Sequence, residues 1–224
     1  MTRTLVITGG HGVLGRAVLE AALSDGLNVA VVDHARGQTA PDDVLELGGV
    51  DLTDPAAADR AMAAVADRFG GVDALLNIAG GFVWQTADDP EPAWDRLFAL
   101  NLKTVLNASR AALPLLKQSP EGRIVNVGAN AALKSGAGMG AYAASKAGVH
   151  RLTESLAEEL KATPVTVNAV LPSILDTEQN RADMPDADPA KWVQPADLAR
   201  VMLFLASPES RAITGALIPV TGRV

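Results

Sequence analysis

The segment Thr8-Gly-Gly-His-Gly-Val-Leu-Gly15 constrains this chain more than any other. It follows Thr4 to Thr8, which read as a buried strand, and it runs into a helical pattern from Val13 to Ser24. Glycines between a strand and a helix suit a dinucleotide. Gly9 permits the tight turn, Gly12 lets the backbone approach a pyrophosphate, and Gly15 allows close packing of helix on strand. The helix N-terminus then offers free N–H groups and a positive dipole end to the phosphates. With His11, Val13 and Leu14 of the same turn, these glycines are the candidate cofactor contacts. A glycine-rich turn that binds nothing is the alternative, and the strand-turn-helix context favours the ligand.

Asp33 closes the second apolar run, Asn28 to Asp33. An acid about 20 residues past the glycines accepts hydrogen bonds from the adenosine ribose and repels a 2′-phosphate, so NAD(H) is the preferred cofactor. His34 and Arg36 nearby leave room for NADP(H), and a turn aspartate is the bland alternative. Asp51 and Leu52, after a third and weaker strand near Gly49 to Leu52, are placed to contact adenine.

Further along, strand patterns recur at Asp73–Ile78, Arg123–Val127, Val165–Leu171 and Ala216–Val220. Helical patterns occupy the stretch from Pro55, Trp94–Lys117 with a kink at Pro114, Ala141–Lys161 and Pro195–Ala206. Apolar runs of this kind are buried on both faces, as in a parallel sheet, and their alternation with helices gives right-handed βαβ units in a doubly wound α/β fold. All 224 residues read as one nucleotide-binding domain. Residues 173–193 are polar and aperiodic, and read as a mobile loop over a site.

The chain lacks cysteine, which excludes disulfides, thiolate nucleophiles and cysteine metal sites. Its formal charge of −7 opposes binding to nucleic acid. No signal-peptide pattern or membrane-length apolar run is seen, so the cytoplasm is the expected address and no membrane partner is expected.

Tyr142-Ala-Ala-Ser-Lys146 puts a phenol and an ammonium one turn apart on one helix face. A neighbouring cation favours the phenolate and makes tyrosine a usable acid or base. Alone, the pair could equally be surface residues of an amphipathic helix.

Taken with that pair, the glycine turn, Asp33, Asp51, Asn77-Ile-Ala-Gly-Gly81, Asn101, Gly122-Arg-Ile-Val-Asn126 and Val167-Asn-Ala-Val-Leu-Pro172 with Thr177 resemble the short-chain dehydrogenase/reductase family over almost the whole chain. The resemblance implies a Rossmann-type sheet of seven strands in the order 3-2-1-4-5-6-7 and a nicotinamide cofactor. It implies that Tyr142 is the catalytic acid/base, that Lys146 tunes it and binds the nicotinamide ribose, and that Asn101 holds a water in a proton relay. Asn77, Ala79 and Gly80 would line the cofactor, and Pro172, Leu175 and Thr177 would face its nicotinamide end.

Two positions depart from the family. Val13 stands where the middle glycine usually falls, and Ala129 stands where a serine usually lies, 13 residues before the tyrosine. Ala129 cannot hydrogen-bond a substrate oxygen, which weighs against simple alcohol/ketone interconversion. Ser135 and Asn130 are near, but neither is at the matching position. These departures, with Gly138-Met139, Leu175-Asp-Thr-Glu-Gln-Asn-Arg181, Met184-Pro185 and Trp192, are similar to quinonoid dihydropteridine reductases and their bacterial relatives. That subgroup also lacks the serine and acts on a conjugated, imine-like ring.

Phe82 would stack on such a ring, with Trp84, Ala129, Asn130 and Tyr142 completing the substrate pocket; core or interface packing is the equal alternative for the two aromatics. An ordinary carbonyl oxidoreductase (3-oxoacyl reductase-like) and a non-catalytic nucleotide sensor stay open. The small and apolar residues spread around Ala141–Leu160 point to a homodimer or homotetramer.

Overall fold

The structure, a computed structural model, describes residues 2–37 and 44–224. Seven strands form one sheet: β1 Thr4–Thr8, β2 Asn28–Asp33, β3 Val44–Gly48, β4 Ala74–Asn77, β5 Arg123–Val127, β6 Thr166–Pro172 and β7 Leu217–Val220. Their order is β3-β2-β1-β4-β5-β6-β7, and every pairing is parallel. Helices α1 Val13–Ser24 and α7 Pro195–Ala206 cover one face. Helices α2 Pro55–Phe69, α4 Thr104–Leu116 and α5 Gly140–Glu159 cover the other. Alternate residues of each central strand feed the two apolar layers; in β1, Leu5 and Ile7 join one and Val6 the other. This is why the strands carry apolar residues without a polar face.

Local chemistry sets the helix ends. In α2 the Asp54 side chain accepts from Ala56 N–H at 3.0 Å, Pro55 occupies the first turn, and Gly70 closes the helix at φ 84°. Between β1 and β4 the sheet reverses direction of growth, and ligands of doubly wound sheets bind beyond the strand ends at such a point. Gly9, at φ 70°, lies there. A Cβ on it would fall 2.8 Å from the main chain of Ala79, so only glycine lets the two strand ends approach.

Three expectations change. The third strand is Val44–Gly48, not Gly49–Leu52: it is an edge strand of mixed polarity, while Leu52 turns inward and packs beneath the sheet. The helix expected over Trp94–Lys117 is interrupted by a π turn at Ala99–Lys103, between α3 Trp94–Phe98 and α4. Pro114 sits in the last turn of α4, where its missing N–H costs one bond and the helix ends two residues later anyway. Residues 173–193 are not structureless. They hold α6 Glu178–Asp183, a 3₁₀ turn at Pro189–Lys191 and a bridge between Leu175 and Val193. Asp176 anchors the segment by accepting from Arg181 at 2.6 and 2.8 Å and from Gln194 at 2.9 Å, which pulls its carboxyl pKa down to about 2. Among the described residues no helix is long and apolar enough to cross a membrane.

Gly15 faces the Gly9 carbonyl, and a Cβ there would also meet Gly10 Cα at 2.6 Å. Gly15→Ala is expected to destabilise the chain by about 1–3 kcal/mol, as an overpacked site does. Urea unfolding measures it, and an unchanged midpoint would show that the turn can open without cost.

Candidate active site

The site lies beyond the C-terminal ends of β1, β4 and β5. The Thr8 hydroxyl accepts from the N–H groups of Ile78 and Ala79 at 3.0 and 3.2 Å and so fixes the chain leaving β4. Gly12 caps α1 without a side chain. The carboxylate of Asp33 ends β2 and accepts from His11 N–H at 3.0 Å and from Ala35 N–H at 2.9 Å. His11 in turn pairs through Nε2 with Glu46 at 2.6 Å. A bare glycine turn, a free helix N-terminus and an acid at the end of β2 fit a dinucleotide. Val13, exposed on the first helical residue, takes the place where a glycine would bring the backbone closer.

Several expected contacts have side chains committed elsewhere. Leu14 and Leu52 are core residues. Asn77 is buried and donates to Ser109 Oγ at 3.1 Å and to Asn126 Oδ1 at 2.9 Å, and Asn126 donates to Thr153 at 2.9 Å. This network ties β4 and β5 to α4 and α5 under the site. Asp51 is occupied by Thr53, whose hydroxyl and N–H lie 2.7 and 2.9 Å away and hold its carboxyl below the usual range. Leu175 packs on the α7 side of the core. The Thr177 hydroxyl caps α6 by accepting from Asn180 N–H at 3.1 Å. Three of these side chains still keep a free atom for a ligand: the buried Oδ1 of Asn77, which has no partner, Oδ2 of the exposed Asp51, and the Thr177 hydroxyl proton. Pro172 ends β6 and is buried.

Around Tyr142 the expected residues do converge. Asn101 lies in the π turn, an irregularity common at functional sites. Its Oδ1 accepts from Gly81 N–H at 2.8 Å, and its Nδ2 donates to Gly81 O at 3.0 Å and Ser145 Oγ at 2.9 Å. Ser145 donates to Tyr142 O at 2.7 Å. The Asn101 side chain is thus spent on architecture, so a relayed water would need its main chain. Gly80 sits between Asn101 and Lys146: a Cβ there would fall 2.8 Å from Oδ1 and 3.3 Å from Nζ.

Lys146 is 4% exposed, and its Nζ donates to Val127 O at 2.7 Å. Burial lowers its pKa to about 8 and raises that of Tyr142 to about 12. The phenol is therefore protonated at neutral pH. Phe82 meets the Tyr142 ring edge-on, with centroids 5.0 Å apart, and is half exposed. Trp84 lies over Gly138 and donates to Ala137 O at 3.1 Å, so it clasps the loop before α5. At the start of α5 a cleft of about 260 Å³ is lined by Gln85, Thr86, Trp94, Gly138 and Ala141.

Ala129 is buried and brings no hydroxyl. Its N–H donates to His150 Nε2 at 3.3 Å, and Asn130 starts a 3₁₀ turn just beyond it. Ser135 is exposed and donates to Gly136 O at 3.2 Å, so nothing here places it as a substitute. Sequence reasoning missed His150, Ser145, Thr8 and Glu46. The first two had a readable signal, since both lie on the Lys146 helix within one turn of it. Burial, Arg151 and Lys146 all lower the His150 pKa, which keeps Nε2 free to accept.

Residues 3–188 match the family described as short chain dehydrogenase. The chain belongs to that family. It is 32% identical to the D-beta-hydroxybutyrate dehydrogenase of Rhizobium meliloti, covering 96% of this chain and 87% of that protein. It is 32% identical to the 3-oxoacyl-[acyl-carrier-protein] reductase FabG of Vibrio cholerae, covering 98% and 96%. Among solved structures, the 3-ketoacyl-(acyl-carrier-protein) reductase of Brucella melitensis complexed with NADH superposes with a TM-score of 0.87 at 27% identity, over 98% of this chain and 97% of that one. The chain is thus a short-chain dehydrogenase/reductase, an oxidoreductase that uses a nicotinamide cofactor.

Removing the Asn101 side chain leaves the N–H and C=O of Gly81 unpaired and takes from Ser145 Oγ its donor. Asn101→Ala is expected to lower stability by about 2 kcal/mol or more, since each buried group left unpaired costs about 1–3 kcal/mol. Chemical unfolding reads this directly, and a loss under 0.5 kcal/mol, the ~0.5 kcal/mol scatter of surface changes, would mean that water replaces the bonds.

Proposed function

We propose that the enzyme reduces a small cyclic or conjugated carbonyl or imine compound with NADH, in the manner of dihydropteridine reductases, and that Tyr142 donates the proton. The reading is carried by one observation: a phenol that keeps its proton at neutral pH lies one turn from a buried lysine on α5, and the residue 13 positions before it, the buried Ala129, has no hydroxyl. The bound nicotinamide would supply the hydride. Gly9, Gly12 and Gly15 cradle the diphosphate. Asp33 takes the ribose hydroxyls, and Glu46, held beside it through His11, adds a second carboxylate opposed to a 2′-phosphate.

Tyr142 gives its proton to the reacting heteroatom as hydride arrives, and Lys146, cationic below about pH 8, stabilises the phenolate left behind. A simple ketone develops an alkoxide that gains from a second donor. A conjugated imine accepts hydride with its nitrogen already able to take the proton, so a single donor suffices. Phe82, half exposed beside the phenol, offers a ring face to a flat substrate. Assembly into a dimer or tetramer through α5 belongs to the same proposal.

A second reading, a reductase of 3-oxoacyl or dehydrogenase of 3-hydroxyacyl compounds, is supported by the names of the relatives at 32% identity.

Tyr142→Phe is expected to lower kcat/KM for a quinonoid dihydropterin by about 10²–10⁴, with NADH affinity within about threefold of the parent. Unchanged turnover removes Tyr142 from the mechanism. Reduction should also decline above about pH 8, because the ammonium that favours the phenolate is present below that value and lost above it. Lys146→Met should be slow at every pH and lack that decline.

Ala129→Ser separates the two readings. It should speed reduction of simple 3-oxo esters by about tenfold, roughly the worth of one hydrogen bond, and leave dihydropterin reduction unchanged. If the parent enzyme already prefers 3-oxoacyl substrates over the dihydropterin, the second reading stands.

A further inference from the structure

The opposite edge of the sheet carries a feature that the chemistry above does not use. Arg123 opens β5 and Thr166 opens β6, and the two are direct partners in the ladder. Strand alternation sends both side chains toward the face of α1 and α7. They border a cleft of about 530 Å³ shared with Glu121, Lys161, Pro164 and Arg211.

Arg123 is 1% exposed. Its hydrogen bonds go only to main-chain carbonyls: Nε to Ser207 at 3.0 Å, and Nη1 to Gly122 at 2.8 Å and Pro164 at 3.4 Å. Nη2 makes none of these bonds, and among the described residues no carboxylate comes within 4.0 Å of the guanidinium. Burial and the neighbouring Arg3 lower its pKa, while Glu121 and Glu209 offset this only at a distance. A buried charge without a close partner is costly.

The Thr166 hydroxyl beside it is buried and has no hydrogen-bond partner. Arg211 is exposed at the mouth and makes no ion pair among the described residues. Lys161 is already committed to Glu158, so the open charge rests on the two arginines. Two guanidinium groups and a hydroxyl can all donate. The ligand they suit accepts only, carries negative charge and offers more than one oxygen.

We infer that this cleft binds the phosphate group of a small molecule, held between Arg123, Arg211 and the Thr166 hydroxyl. The exposed Arg211 can turn its guanidinium fork to two phosphate oxygens at once, while Arg123, with Nε and Nη1 on carbonyls, adds its charge and Nη2. The cleft is larger than a phosphate alone and falls within the usual size of small-molecule sites, about 300–1,000 Å³. The site is separate from the glycine turn, because parallel strands place their two ends on opposite edges of the sheet.

The test is calorimetric titration of the NADH-saturated enzyme, whose diphosphate site is filled, with inorganic phosphate and with glycerol phosphate at constant ionic strength. One phosphate is expected per chain. Arg211→Gln and Thr166→Val should each weaken it about tenfold, the worth of one charge-assisted bond, with NADH affinity unchanged. Tighter binding of glycerol phosphate than of inorganic phosphate assigns a phosphate ester; weaker binding assigns free phosphate. Absence of binding, affinity that neither variant alters, or preference for succinate over both phosphates overturns the assignment.

Discussion

The approach of two backbones, at Gly9 and Ala79, governs what this sheet can hold. The strands β1 and β4 diverge in their onward paths at this point, and the ligand crevice of the fold exists because they do. A methyl group on Gly9 would press into the main chain of Ala79. Thr8, just before it, reinforces the contact by taking the N–H groups of residues 78 and 79. From there the chain passes to Gly80 and Gly81, where Asn101 picks up the main chain and hands it to Ser145 on α5. One continuous set of bonds thus connects the glycine turn to the helix that carries Tyr142 and Lys146.

Burial then decides the chemistry of that helix. A solvated lysine beside a solvated tyrosine would lower the phenol pKa. In this chain the surroundings do the reverse to both groups, raising Tyr142 and lowering Lys146. The result is a phenol that keeps its proton until something draws it away, and an ammonium close to losing its own. In the proposed function such a pair serves as the proton donor toward an acceptor formed in the site. Ala129 fits this bias. Its N–H is already held by His150 and its side chain brings no hydroxyl, so residue 129 itself offers no donor to a substrate oxygen.

Much of the architecture was legible because a parallel sheet writes its burial into the sequence. Apolar runs of β1, β2, β5 and β6, separated by helical periods, gave the alternation, and the ends of α1 and α7 fell where the pattern put them. The edge strand β3 was misplaced because an edge strand with Glu46 in it has no continuous apolar signal. Residues 173–193 looked structureless because their order comes from side chains such as Asp176 and Arg181 meeting each other rather than from a period. The π turn at 99–103 likewise leaves no composition signal.

The sequence by itself determined the alternation of strands and helices, the glycine turn, the one-turn spacing of the phenol and the ammonium, and the missing hydroxyl at 129, since these follow from local spacing and residue type. Only the tertiary structure decided which of the remaining polar residues face a ligand. Asn101 carries the right groups, yet its side chain is spent on Gly81 and Ser145, while Asn77 and Asp51 are spent in part and each keeps one free oxygen. Whether a polar group is free depends on what folds against it, and no one-dimensional pattern records that.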